Sequence, residues 1–289
     1  MEKKPRVPPY IGILVGVSAV STASLLIRLS SAPALAIAAY RLLFATIILL
    51  PFFLITGGMR ELRALSLRGF LVLIGVGLVL AAHFGSWITS LKVTSVASSV
   101  ILVNVAPIFV AVLSHFYLKE RTTRRVWLGI LTAFSGAAII ALGDLGRGED
   151  SLLGDLLAVV GAVMLSLYLL AGRRIRQKLG LLAYVTPVYA VSALTLFFSC
   201  VSTGVPLAPY PQEEIVLFLA LAVVPMIFGH TVYNWALKYV GAPIVSVSLL
   251  GEPVGAILLA ALFLREMPAS IAAFGGVLTL LGIYVTASS

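Results

Sequence analysis

One pattern occurs twice in this 289-residue chain, at a fixed offset of 146 positions. Lys92 falls on Lys238, Pro107 on Pro253, Glu120 on Glu266, Gly129 on Gly275 and Gly136 on Gly282, without a gap. An apolar chain produces chance Leu and Ala matches freely, so the weight lies on Lys, Pro, Glu and Gly. A period close to half the length makes the chain two versions of one unit. In a membrane-embedded chain, an internal repeat of this size points towards transport.

The solvent for most of the chain is lipid. Hydrophobic residues make up 61% and charged residues 11%, whereas soluble domains are about half apolar and about a quarter charged. Runs of about 20 apolar residues are the length a helix needs to cross a bilayer. Ten such runs stand near 9–28, 33–56, 68–91, 95–118, 124–142, 152–171, 181–203, 214–237, 242–264 and 268–287. They are continuous rather than alternating, so helices are expected and barrel strands are not. The fold class read from the sequence is an all-α integral membrane protein of ten transmembrane helices. Residues 1–146 form a first five-helix unit and 147–289 a second. Five is odd, so the second unit enters the membrane from the opposite side and the repeats are inverted.

The net charge of +9 would raise nucleic acid as a partner in a soluble protein. Its distribution gives a different account. With the N-terminus inside, 15 of the 20 basic residues fall on the cytoplasmic side, and only Arg28, Lys92, Arg147 and Arg265 fall outside. That split follows the positive-inside rule and expects both termini in the cytoplasm of a cell with a cytoplasmic (inner) membrane. Nucleic acid is excluded as a partner on this ground. The basic N-terminus and first run lack a small-residue cleavage site, so the run is read as a retained helix rather than a signal peptide. Cys200 is the sole cysteine. It rules out an intramolecular disulfide and a cysteine-rich metal site.

The run Leu102-Val103-Asn104-Val105-Ala106-Pro107, a helix ending Leu118-Lys119-Glu120, then Gly129 and Gly136, resembles the EamA family of the drug/metabolite transporter superfamily. Glu252-Pro253, Leu264-Arg265-Glu266, Gly275 and Gly282 repeat the resemblance in the second half, and Arg41, eight residues after Pro33, matches the helix-2 arginine of that family. The resemblance implies a ten-helix permease working by alternating access. In many members it implies export of amino acids or related metabolites. The seventh run departs from the pattern: the position facing Arg41 is near Val188, so no second arginine carries over.

Ionisable groups at membrane depth are costly, and each needs an account. Arg41 lies eight residues into its helix, about 12 Å at 1.5 Å per residue, and His83 sits at similar depth. Arg41 either binds a substrate carboxylate with its planar fork or bonds carbonyls at a broken helix. Glu252 stands near the midplane between Gly251 and Pro253, where proline frees a carbonyl one turn earlier. It either exchanges a proton or a substrate amine, or stitches broken backbone to a neighbour. His83 and Trp87 share one helix face; His230, Tyr233 and Asn234 make a similar stripe in the eighth run. These faces either line a partly wet cavity, where aromatics suit an ammonium, or serve interhelical bonding and the interfacial aromatic belt. Asn104, three residues before Pro107, bonds a freed carbonyl or faces substrate. Glu120 and Glu266 end on opposite membrane surfaces under the inverted topology, so they are anchors or gate elements rather than one site. The basic run Arg173, Arg174, Arg176 and Lys178 is placed to meet anionic headgroups.

No GxxxxGK[ST], HExxH, CxxC or GxSxG occurs, so an ATP motor and the usual membrane hydrolases lack their parts. No cofactor is expected. The expected function is secondary transport of a small organic solute, with proton coupling through Glu252 or a histidine as one driving force. The alternatives are a membrane-embedded enzyme on a lipid-linked substrate and a non-transporting receptor or assembly subunit. The first would cluster acids or histidines at one interface, the second would carry a sizeable soluble domain, and neither feature is present.

Overall fold

The computed structural model describes residues 5, 7–94, 96–119, 122–142, 152–259 and 270–288. Every regular element among them is helical. The first half holds α1 (Pro9–Val20), α2 (Ala23–Leu29), α3 (Ala34–Ile55), α4 (Gly58–Arg63), α5 (Leu67–Val93), α6 (Val96–Val103), α7 (Ala106–Leu113) and α8 (Arg124–Leu142). The second holds α9 (Leu152–Ile175), α10 (Leu181–Ser202), α11 (Gln212–Leu221), α12 (Val232–Ala236), α13 (Ala242–Ser248), α14 (Glu252–Leu259) and α15 (Ser270–Ala287). Wide π-type turns continue α7 over Ser114–Leu118 and join α11 to α12 over Ala222–Thr231.

Seven helical stretches among the described residues are long and apolar enough to cross a bilayer: Pro9–Leu29, Ala34–Ile55, Leu67–Val93, Ser98–Leu118, Leu152–Ile175, Leu181–Ser202 and Gln212–Ala236. They stand where the first four expected runs and the sixth to eighth lie. Helices α8, α13–α14 and α15 stand at the other three, the ninth run being described as far as Leu259. Glu120, Glu266 and the expected boundary between the halves, at 146/147, lie outside the described residues. The chain is a multi-pass membrane protein. Its outer surface carries large apolar side chains such as Leu14, Ile55 and Phe198, the last 73% exposed. Such a surface is stable against hydrocarbon and would be a liability in water.

Local sequence explains where the helices start. Pro33 has the fixed φ of proline and an extended ψ of 143°, so it delivers the chain to α3 without needing a helical N–H. Ser66 caps α5, its Oγ accepting the Gly69 N–H at 3.2 Å. Packing partners then exchange between the halves: α5 packs on α9, while α1 packs on the wide-turned segment and α12. Helix α3 crosses α10, and α8 crosses α15. Each of these pairings maps onto another, or onto itself, under the 146-residue offset.

Candidate functional site

Two interrupted helices meet at the centre of the bundle. The break between α6 and α7 falls at Asn104-Val105, one turn ahead of Pro107. The matching break tightens Leu249–Gly251 into a 3₁₀ turn immediately before Glu252-Pro253. Proline has no N–H, so the carbonyls of Val103 and Leu249 lose their usual helical donors. Both breaks border one cavity of about 30 Å³, lined by Asn104, Ala106 and Pro107 on one side and by Leu249 and Glu252 on the other. A volume of this size has room for about one water and excludes an organic solute.

The cavity wall also contains His83, Trp87 and His230. His83 Nδ1 lies 2.9 Å from the Gly161 carbonyl oxygen on α9. A carbonyl only accepts, so Nδ1 carries the proton and Nε2 is left as an acceptor. The rings of His83 and Trp87 lie parallel with centroids 6.0 Å apart, and His230 comes within 6.3 Å of His83. The buried Trp87 Nε1 has no hydrogen-bond partner among the described residues. Five of the eight residues singled out in the sequence therefore share this wall: His83, Trp87, Asn104, His230 and Glu252.

Arg41 stands directly behind it and is 0% exposed. Its guanidinium carbon lies 4.2 Å from the Phe84 ring centroid, and Phe84 in turn stacks edge-on against His230 at 5.1 Å. One terminal nitrogen reaches only the Met226 sulfur, at 3.8 Å, while Nε and Nη1 have no acceptor among the described residues. A buried guanidinium normally holds a carboxylate or several carbonyls. Here an aromatic face and a thioether take that place.

Tyr233 and Asn234 leave the cavity. Three and four residues on from His230, they stand about 100° apart around the helix, so the stripe is broad enough to meet different neighbours. His230 faces His83 and Phe84, and Tyr233 turns to Gly16, where a Cβ would stand 2.9 Å from its ring. Asn234 donates Nδ2 to the Tyr168 hydroxyl and to the His230 carbonyl, each at 2.6 Å.

Polar clasps stand at both ends of the bundle. At the end where α3 begins, Glu214 of α11 accepts from the Ser31 N–H at 2.6 Å, from Ser31 Oγ at 2.8 Å and from Ser30 Oγ. Lys92 at the end of α5 donates to the Ser30 carbonyl at 2.7 Å. At the end where α3 stops, Arg173 donates to the Leu237 and Lys238 carbonyls at 2.8 and 3.2 Å. Arg176 donates to the Asn234 carbonyl at 3.0 Å and to that of Leu179, and Glu61 accepts the Gly180 N–H at 2.7 Å. Glu214 was not singled out in the sequence, and Phe84 and Met226 carry no polar signal.

A model of the EamA-like transporter family matches residues 8–142 and again residues 152–288. An uncharacterized transporter, YdfC, of Bacillus subtilis is 26% identical over 254 residues, spanning 86% of this chain and 80% of its own. An uncharacterized transporter of Archaeoglobus fulgidus is 26% identical over 219 residues, spanning 75% and 74%. One solved crystal structure superposes with a TM-score of 0.78 over 96% of this chain and 95% of the other, at 20% identity, a likeness of fold.

Proposed function

The chain belongs to the EamA-like transporter family, and from that premise we propose that this membrane transporter exports a small carboxylate-bearing solute, an amino acid or related metabolite, by alternating access. The observation that carries the substrate class is Arg41, a fully buried guanidinium beside a central cavity, with two nitrogens lacking acceptors among the described residues. A bound carboxylate supplies the bidentate acceptor that the described residues do not. Trp87 Nε1 and His83 Nε2 give a donor and an acceptor for the rest of the solute, and Glu252 on the opposite wall receives an ammonium or a proton.

The cavity is too small for such a solute while both clasps are shut. Opening the Glu214 clasp or the Arg173–Arg176 clasp in alternation exposes the same wall to one side and then the other. The division into an N-terminal and an inverted C-terminal five-helix unit supplies two frames to rock against each other. The location is the cytoplasmic membrane with both termini inside, and the distribution of basic residues supports that orientation.

The test is flux in oriented liposomes with a panel of amino acids and their carboxyl-amidated derivatives. Acids are expected to be carried and amides to fail, with Arg41→Met abolishing flux. Equal flux of acid and amide would overturn the carboxylate assignment. Absence of flux for every solute from a folded, oriented preparation would overturn transport of this class altogether.

A further inference from the structure

A second recess lies on the outside of the bundle, between α5 and α9. Two grooves, of about 460 Å³ and about 660 Å³, share Val72, Tyr117 and Ala171 and form one continuous cleft. Its inner length is apolar, floored by Gly75 and walled by Val79, Leu113 and Leu167. Its mouth carries Arg68, Arg174 and Lys178, all exposed, and no carboxylate lines it among the described residues. The acid nearby in the chain fold, Glu61, is taken up by the Gly180 N–H. Arg174 sits over the Tyr117 ring at 5.0 Å, which fixes one cation at the entrance. Along α5 the distance from Arg68 to Val79 is roughly 16 Å at 1.5 Å per residue.

We propose that this cleft is a binding site for one anionic membrane phospholipid, its headgroup phosphate held by Arg68, Arg174 and Lys178 and one acyl chain lying over Gly75. Three observations fit that occupant together. The cations cluster at one end, the apolar trough continues from them along a lipid-facing helix pair, and the exposed walls at Val72 and Leu167 open sideways towards the bilayer. A soluble anion has no use for the trough. A neutral lipid has no use for the three cations. Because hydrocarbon already surrounds the protein, the trough contributes packing rather than hydrophobic transfer, and selectivity comes from the headgroup. The site lies outside the central cavity and does not depend on which solute is carried.

Gly75 gives a clean handle. A Cβ there meets nothing within 4 Å, so a larger side chain fills the trough without displacing neighbours, and leucine is the better helix former. The experiment is native mass spectrometry of the detergent-purified full chain, titrated with phosphatidylglycerol, with phosphatidylcholine of the same acyl chains, and with soluble glycerol 3-phosphate. Wild type is expected to retain one phosphatidylglycerol at least about tenfold better than phosphatidylcholine, and to ignore the soluble headgroup. Each of Arg68→Gln, Arg174→Gln and Lys178→Gln is expected to lower that preference about fivefold. Gly75→Leu lowers retention of both lipids at an unchanged melting temperature. Equal retention of the two lipids by wild type overturns the proposal, as does retention of glycerol 3-phosphate, which would make this a free-anion site. Retention unaltered in Gly75→Leu overturns the acyl assignment even where a charge variant fails to fold.

Discussion

Gly129 and Gly282 meet backbone to backbone where α8 crosses α15. A Cβ on Gly129 would lie 2.8 Å from the Gly282 carbonyl oxygen, and one on Gly282 would lie 2.5 Å from that of Gly129. Gly136 meets Gly275 in the same way, with a Cβ falling 2.5 Å from the Gly275 oxygen. Gly129 corresponds to Gly275 and Gly136 to Gly282 in the 146-residue repeat, so each contact is the other's image. Thr279 Oγ1 and the Ala133 oxygen, also 146 positions apart, meet between them at 3.5 Å. The repeated glycines are thus one helix crossing shared by both halves.

Substitution there has no room to relax, because the atoms in the way are backbone, with the short Thr286 side chain beside Gly129. Gly129→Ala and Gly282→Ala are each expected to destabilise by at least about 1–3 kcal/mol, the cost of overpacking. Gly75→Ala, in open space, is the control and should be neutral or slightly stabilising. Melting followed by size-exclusion fluorescence reads the difference. Equal melting temperatures for Gly129→Ala and Gly75→Ala would remove the close-contact account.

The helical membrane architecture was legible because hydrocarbon leaves few ways to satisfy a backbone, and apolar run length reports the crossing directly. Asn104, Glu252 and the two prolines were legible because a polar side chain stands beside a missing N–H at membrane depth, whereas Pro51 and Pro187, with apolar or hydroxyl neighbours, lie inside the unbroken α3 and α10. His83, Trp87 and His230 reached the cavity as expected from polar types at depth. Tyr233 and Asn234 did not, since positions three and four residues on from His230 stand about 100° apart around the helix and meet Gly16 and Tyr168 instead. Arg41 was visible as a charge, but its setting over Phe84 and beside Met226 was not, because both neighbours are apolar residues from distant helices.

Among the described residues Glu252 is the one carboxylate lining the central cavity, on the helix break that matches Ala106 in the other half. If it carries the proton exchanged for solute, Glu252→Gln should reduce gradient-driven flux at least about tenfold, or 1.4 kcal/mol. Solute-for-solute counterflow should persist, since the amide keeps the shape of the cavity. Gradient-driven flux that survives in Glu252→Gln would assign the coupling elsewhere.

The two clasps predict opposite effects on access. Val103 lines the cavity and Cys200 is the native cysteine, so Val103→Cys in a Cys200→Ser background reports the cavity to an impermeant maleimide. Removing Glu214 loses several bonds to a charged acceptor, each worth about 1.5–3 kcal/mol. Glu214→Ala should therefore raise labelling by about tenfold or more from the face where α3 begins. Arg173→Gln should raise it from the other face. Both variants favouring the same face would contradict the assignment of the clasps to opposite gates.

Arg41 allows stability and transport to be separated. An arginine retained for structure stabilises the fold through its bonds, and its loss lowers the melting temperature. An arginine with two unpaired nitrogens in a fully buried site is instead a net cost to the solute-free protein. Arg41→Met keeps the length and the packing on Phe84 while removing that cost, so it is expected to raise stability by about 1–4 kcal/mol, the range seen when buried charges are replaced by apolar side chains. The same variant should lose carboxylate flux, and a transported acid should raise the melting temperature of wild type but not of the variant. A variant that melts lower than wild type and still transports would place Arg41 in the scaffold and leave the solute carboxylate to another donor.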